Sequence, residues 1–347
     1  MTSVISRPLK VGVVGATGMV GQSFMSTLEQ RKFPVAELRP FASEQSLGKS
    51  ITLFGKSYPI QILKPGAFDG LDVVFFSSGD DISKDWAPQA VQSGAWVIDN
   101  SAAFRMDPTV ALVVPEVNGH LLDPAKGPQI IANPNCSTIQ LVVALKPLQD
   151  QFGLEEVRVA SYQAVSGAGL PAYDELKKQT VAIEKGQVVS QDNGLVKNFV
   201  HQIAFNLIPQ IGSFNDDGFC SEEVKIMKET RKILSLPKLK VSAFTVRVPV
   251  LNAHSEVVWV TLNKEITKEQ FTKSLKSADG LIVEDDAKNS IYPMPYQVSG
   301  TDPVYVGRIH RDVEDPKLWM MWVVADNIRK GAALNGIHIA EKIFAQP

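Results

Sequence analysis

Six short apolar runs mark the first 135 residues, at positions 11–14, 38–42, 73–76, 96–98, 112–114 and 130–132. Each is apolar at consecutive positions, so the strand it predicts is covered on both faces, as in a parallel sheet between layers of helices. Turns and helical or looped stretches separate the runs, which predicts a doubly wound α/β domain. Past Asn133-Pro134-Asn135 the pattern becomes helical, with Ile139, Leu141, Val142, Leu145 and Leu148 apolar around Lys146-Pro147. The style then changes: 241–248 and 256–262 alternate apolar and polar residues, the pattern of a half-buried, mostly antiparallel sheet. The tail, 327–344, sets Ala332, Ala333, Ile337, Ala340 and Ile343 on one side of an amphipathic helix. Segments 187–194 and 214–218 read as loops from their Asn, Asp and Gly content. The expected division is therefore a first domain, 1–135, with 327–347 packing back on it, and a second α+β domain, 136–326.

Chemistry enters directly after the first run, in Val11-Gly-Val-Val-Gly-Ala-Thr-Gly-Met-Val-Gly21. Glycines at 15, 18 and 21 let the backbone turn tightly and approach a diphosphate, whose charge is met by free N–H groups of the following helix. The first domain is thus predicted to bind a dinucleotide; a tight turn with close helix–strand packing is the alternative. At the end of the second run, Ser43, Ser46 and Lys49 suit an adenosine 2′-phosphate, whereas Glu44 suits a free 2′-hydroxyl. A solvated loop is the other reading of that stretch.

Cys136 follows the Asn-Pro-Asn turn at the start of the helical pattern. Free N–H groups at a helix N-terminus stabilise an anion, which favours the thiolate and predicts a nucleophile there. Cys220 has no such setting and reads as a small buried hydrophobe. Of His120, His201, His254, His310 and His338, the best acid/base candidate is His254, because it follows Arg247-Val-Pro-Val-Leu-Asn-Ala, a segment that also supplies a cation. His310 and His338 read as surface residues. Glu222 and Lys225, three apart, face one side of a helix and read as a surface ion pair. Arg105 follows a predicted strand's carboxyl end, where open α/β sheets bind ligands; a surface arginine is the alternative.

Length and charge narrow the classes further. A chain of 347 residues can bury two cores. Its 35 basic and 37 acidic residues leave a formal charge of −2, without the basic excess of a nucleic-acid binder. Two cysteines give neither a disulfide framework nor a Cys-rich zinc site, so no metal is expected and a reducing compartment fits. No apolar run approaches the ~18–20 residues that span a bilayer. Residues 1–10 lack the apolar core of a secretory signal, so a cytoplasmic protein without membrane partners is expected.

Taken in order, several segments resemble aspartate-semialdehyde dehydrogenase over nearly the whole chain. They are Gly15-Ala-Thr-Gly-Met-Val-Gly21, Asp99-Asn-Ser-Ala-Ala-Phe-Arg105, Asn133-Pro-Asn-Cys-Ser-Thr138, Ser161-Tyr-Gln-Ala-Val-Ser-Gly167, His201-Gln-Ile-Ala-Phe-Asn206, Arg247-Val-Pro-Val, His254 and Asp326-Asn-Ile-Arg-Lys-Gly-Ala-Ala333. The resemblance implies a Rossmann-type first domain and NADPH-dependent reduction of L-aspartyl 4-phosphate to L-aspartate 4-semialdehyde through a cysteine thioacyl intermediate. It implies Cys136 as nucleophile, His254 as general acid/base and Gln163 as the residue orienting the substrate. Arg247 and Glu222 match positions for the substrate's α-carboxylate and α-amino group, and Arg105, Asn135 and Lys225 match a phosphate site. Gly15, Thr17, Gly18, Met19 and Val20 would line the cofactor diphosphate, with Ser166, Gly167 and Asn327 toward the nicotinamide. Gln45 stands where many bacterial members carry an arginine beside the 2′-phosphate; Ser43, Ser46 and Lys49 can compensate, so NADP is expected, with NAD possible. A homodimer or homotetramer is also implied. Two other readings stay open: a related phosphorylating dehydrogenase of the N-acetyl-glutamyl-phosphate reductase type, and a nucleotide-binding regulator without catalysis.

Overall fold

The computed structural model describes residues 5 and 7–345. Residues 1–4 and 6, within the stretch read for a secretory signal, and residues 346–347 lie outside the described residues. The chain forms two compact units, one of residues 1–135 with 332–347, the other of residues 136–331. The tail thus joins the first unit from Ala332 onward, not from Asn327.

In the first unit the elements are β1 (Leu9–Val14), α1 (Met19–Gln30), β2 (Val35–Phe41), β3 (Ser50–Leu53), β4 (Lys56–Pro59), β5 (Val73–Phe76), α2 (Asp80–Gln92), β6 (Trp96–Asp99), β7 (Ala111–Leu112), α3 (Pro115–Asn118) and β8 (Ile130–Ala132). The six predicted runs are the strands of one all-parallel sheet, ordered β2-β1-β5-β6-β8-β7. Strands β5 and β6 are buried at every position, as their unbroken apolar runs require. The β3–β4 hairpin was not legible, because its residues are mostly exposed and carry little apolar signal; Phe54 and Gly55, both at positive φ, make its turn.

One layer of the core sets Phe24 of α1 against Phe75 of β5, ring centroids 4.6 Å apart, in a cluster with Ile98 and with Ile337 and Ala340 of the C-terminal helix Leu334–Phe344. Burial of each of these phenylalanine and isoleucine side chains contributes roughly 1.5–3 kcal/mol. The predicted apolar side of that helix is buried, but so are Leu334, Asn335, Gly336 and Ile339. The amphipathic pattern holds, with His338, Glu341 and Lys342 on the less buried side, and the buried side is wider than the five predicted residues.

The second unit runs through α4 (Cys136–Phe152), β9 (Leu154–Gln163), α5 (Leu170–Glu184), α6 (Ser221–Ile233), β10 (Lys240–Arg247), β11 (His254–Leu262), α7 (Lys268–Lys276), β12 (Leu281–Val283), α8 (Pro295–Val298), β13 (Val304–Arg311) and β14 (Leu318–Ala325). Its sheet, β10-β9-β11-β14-β13-β12, is antiparallel at its three central pairings and parallel at the outer two. Helix α4 continues through Pro147, which is buried and whose carbonyl accepts from Ser274 Oγ at 3.0 Å; the missing N–H leaves one intrahelical bond unmade without ending the helix. Helices α4, α6 and α7 pack against the sheet. Alternate positions of β9, β10, β11 and β14 point inward, while Phe244 and Tyr162 are exposed on the other face and the Tyr162 ring lies 5.8 Å from that of Trp322.

Candidate active site

Strand register brings three candidate side chains together. Arg247 ends β10 and Gln163 ends β9, and the two pair directly because these strands are parallel. Strand β11 runs against β9, so its first residue, His254, falls one position beyond the Ser255–Tyr162 pair, alongside Gln163. All three point to the buried face and are nearly inaccessible. The three candidates thus meet where two strands finish and a third begins.

The peptide of Ala164 holds two of these groups. Its carbonyl accepts from Arg247 Nη1 at 2.7 Å and its N–H donates to His254 Nδ1 at 3.0 Å. Because Nδ1 accepts, the proton of the neutral ring belongs on Nε2. Burial and the neighbouring Arg247 charge hold His254 well below the ordinary histidine value, so it rests as a neutral Nε2–H donor. That buried Nε2 has no hydrogen-bond partner among the described residues, and a Cβ at Gly167 would stand 3.0 Å from it. Burial also pulls Arg247 down, against the opposing fields of Glu222 and Cys136.

Glu222 is not the acid of a surface pair. It is buried, its Oε1 accepts from Gln163 Nε2 at 3.2 Å, and Lys225 Nζ lies 3.6 Å from its Oε2. The adjacent Glu223 is committed to the fold, accepting from the N–H of Cys220, the cap of α6, and from the N–H of Thr245 on β10. Cys220 itself is fully buried, with its sulfur 3.0 Å from Thr245 Oγ1, in keeping with the core reading.

Cys136 is the first residue of α4, half-buried, with no acidic residue in the helix's first turn. Gly331 closes on it: a Cβ at 331 would lie 2.8 Å from Cys136 Cβ. The Gly331→Ala variant is therefore expected to displace the thiol and slow iodoacetamide labelling of Cys136 and turnover together, by about 10²-fold for a shift near 1 Å. Unchanged labelling in a folded variant would show that the backbone yields instead.

Ser166 and Asn327, assigned by resemblance to the nicotinamide end, are bonded to each other. Asn327 Oδ1 also accepts from the N–H of Ala253, a residue at φ 71, just before His254. Few side chains tolerate that conformation, and such strain collects at functional sites. Asn327 thereby steadies the residue that presents His254.

The remaining candidates lie in the first unit. Gly15 has φ 81, and a Cβ there would stand 2.7 Å from the Ser77 carbonyl oxygen. Gly18 precedes α1, whose first turn contains no acidic residue and whose cap makes no side-chain hydrogen bond. Thr17, Met19 and Val20 are half-buried around that N-terminus. A glycine turn feeding an uncapped helix start fits a diphosphate. Ser43, Gln45 and Lys49 are exposed after β2, but Ser46 is buried, so Ser43 and Lys49 are the more accessible donors. Arg105 is buried rather than on the surface: it donates to the carbonyls of Asn133 at 3.0 Å and Asn100 at 2.7 Å. Asn135 is likewise buried. Asn133, unremarked as a functional residue in the sequence, bridges Asn100 and Asn335 with side-chain bonds of 2.6 Å each.

A parallel sheet entered through a glycine turn in one unit, and a second unit carrying the candidate cysteine, histidine and arginine, fit an oxidoreductase of the semialdehyde dehydrogenase class. Residues 10–125 match the family model described as semialdehyde dehydrogenase, NAD binding domain, and residues 145–330 the one described as semialdehyde dehydrogenase, dimerisation domain. The aspartate-semialdehyde dehydrogenase of Aquifex aeolicus is 51% identical over 339 residues, covering 97% of this chain and 98% of that protein, and that of Bacillus subtilis is 45% identical over 342 residues, 98% of each. The crystal structure of aspartate semialdehyde dehydrogenase II complexed with ASA from Vibrio cholerae superposes with a TM-score of 0.92 at 41% identity, covering 97% of this chain and 98% of that one. The chain belongs to the aspartate-semialdehyde dehydrogenase family. A more distant member, the Candida albicans structure with NADP, superposes at 0.75 with 28% identity, covering 97% of this chain and 99% of that one.

Proposed function

We propose that this chain reduces L-aspartyl 4-phosphate to L-aspartate 4-semialdehyde with NADPH, through a thioacyl intermediate on Cys136, supplying lysine, threonine and methionine biosynthesis. The observation that carries the choice of substrate is buried Glu222: a free α-ammonium group wants a carboxylate neighbour, whereas an acetylated nitrogen does not. Arg247, fixed by Ala164, takes the α-carboxylate in the same reading. Lys225, 3.6 Å from Glu222, is the second unit's candidate for the phosphate, and Arg105 and Asn135 are those of the first unit.

Gly15, Thr17, Gly18, Met19 and Val20 would hold the cofactor diphosphate, Ser43 and Lys49 a 2′-phosphate, and Ser166, Gly167 and Asn327 the nicotinamide end. When bound, the reduced nicotinamide supplies the hydride. Cys136 Sγ attacks the β-carbonyl carbon, the carbon–oxygen bond to phosphate breaks, and the acyl group stays on sulfur. Each tetrahedral stage carries a negative oxygen, and His254 Nε2–H can donate to it without giving up its proton. Collapse of the second stage returns the thiolate and releases the aldehyde. NADP is the preferred cofactor with NAD accepted, since Gln45 cannot form the bidentate contact of an arginine. The sheet face bearing Tyr162, Phe244 and Trp322 covers itself against a second copy of the chain, making a homodimer or a homotetramer.

The assay is reduction of nicotinamide by L-aspartate semialdehyde, with and without phosphate, using NADP and then NAD. Phosphate-dependent reduction, faster with NADP, is expected. No signal with either cofactor overturns the proposal, and turnover of the N-acetylated glutamate semialdehyde instead would move the assignment to that substrate.

A further inference from the structure

One buried titratable group has no part in the chemistry above. Glu256 stands two residues after His254 on β11, hence on the same inward face, and is fully buried. Its cross-strand neighbours are Ser161 of β9 and Val323 of β14. From α4 it is met by Gln140, one helical turn after Cys136 and itself buried. Among the described residues, neither carboxyl oxygen of Glu256 nor either polar atom of the Gln140 amide has a hydrogen-bond partner, so two buried, unsatisfied groups face one another. The pair lies one layer below the catalytic row, under His254 on the strand and under Cys136 on the helix.

We propose that Glu256 is a positioning residue that ties the strand presenting His254 to the helix presenting Cys136, through Gln140. The two groups are complementary: a carboxylic acid O–H donates to the Gln140 carbonyl oxygen while its C=O accepts from the Gln140 amide. The acid must be uncharged for this. Burial favours the neutral form, and the charged group acting on it, Glu222 of α6, repels a second anion; together they hold Glu256 well above the usual carboxylate range, with only the Gln140 amide opposing. The neighbours on its own strand and on β9, His254 and Ser161, bring no positive charge. An ionised Glu256 would also place a negative charge beneath the sulfur and disfavour the thiolate.

The test compares Glu256→Gln, which can make the proposed pair of hydrogen bonds without a proton to lose, with Glu256→Leu, which cannot make them. E256L is expected to lose about 10- to 100-fold in kcat with KM for the semialdehyde nearly unchanged, because alignment is lost rather than binding. E256Q should restore most of that loss and leave the pH midpoint of Cys136 alkylation where the wild type has it. Stability supplies a readout that does not depend on E256L folding. A carboxyl whose folded value is raised above 4.5 makes the unfolded state lose its proton first, so wild-type stability falls as pH rises past that value, and the Tm margin of E256Q over wild type should widen from pH 4 to 7. An infrared C=O band of a protonated carboxyl, present in wild type at neutral pH and absent in E256Q, is expected alongside.

E256Q as impaired as E256L, an alkylation midpoint that drops in E256Q, or an absent infrared band would each overturn the inference. Wild-type kinetics in E256L would do the same. The inference rests on the roles given to Cys136 and His254, whose failure would show separately, as an active Cys136→Ser enzyme.

Discussion

Replacing Cys136 by serine is expected to reduce phosphate-dependent turnover at least about 10³-fold while leaving the fold and nucleotide binding intact. A serine hydroxyl is of similar size, so the start of α4 and its contact with Gly331 survive. What changes is the nucleophile, since an alcohol is far less ionised than a thiol near neutral pH, and His254, holding its proton on Nε2, is not placed to take one from it. Rapid mixing with acyl phosphate should show a burst of enzyme acylation in wild type and none in the variant. Residual turnover within tenfold of wild type would remove Cys136 from the mechanism.

Replacing His254 by alanine should cost about 10²–10⁴-fold in kcat/KM, as loss of a positioned acid/base or oxyanion donor does. The pH dependence separates the proposed resting state from an ordinary histidine. Because the folded value is depressed below 6.5, the unfolded chain binds the proton first, and the His254 contribution to stability is lost as pH falls below 6.5 toward the folded value. The wild-type Tm should therefore decline faster than that of His254→Ala on acidification below pH 6.5. Activity should show no acid limb from His254 at its ordinary value, because the ring stays neutral there; such a limb, abolished in the variant, would contradict the neutral donor.

The sheet of the first unit was legible because buried parallel strands write their position as unbroken apolar runs. The β3–β4 hairpin was not, since exposed strands leave no such mark. The placing of Cys136 at a helix start was legible locally, from the turn before it and the apolar pattern after it. Arg247, Gln163 and His254 meet through strand register, which long-range pairing sets and which no window of sequence contains. Glu222 and Glu223 are indistinguishable by type; the fold separates them, Glu222 accepting from Gln163 while Glu223 accepts from the N–H groups of Cys220 and Thr245. Glu256 left one faint signal, an acid at an inward position two residues after the candidate histidine. The alternation read there treated it as merely polar.

Strand β9 serves two masters by parity, with Gln163 inward and Tyr162 outward. Substitutions on one face can accumulate without touching the other, so the reaction and the outer surface are free to diverge separately over evolutionary time. An indel has no such freedom. One residue added or lost within Leu154–Gln163 reverses every side chain beyond it, setting an aromatic ring against His254 and an amide on the outer face. Variation in this strand should therefore be rich in replacements and nearly free of length change, a constraint imposed by the two-residue repeat of the backbone itself.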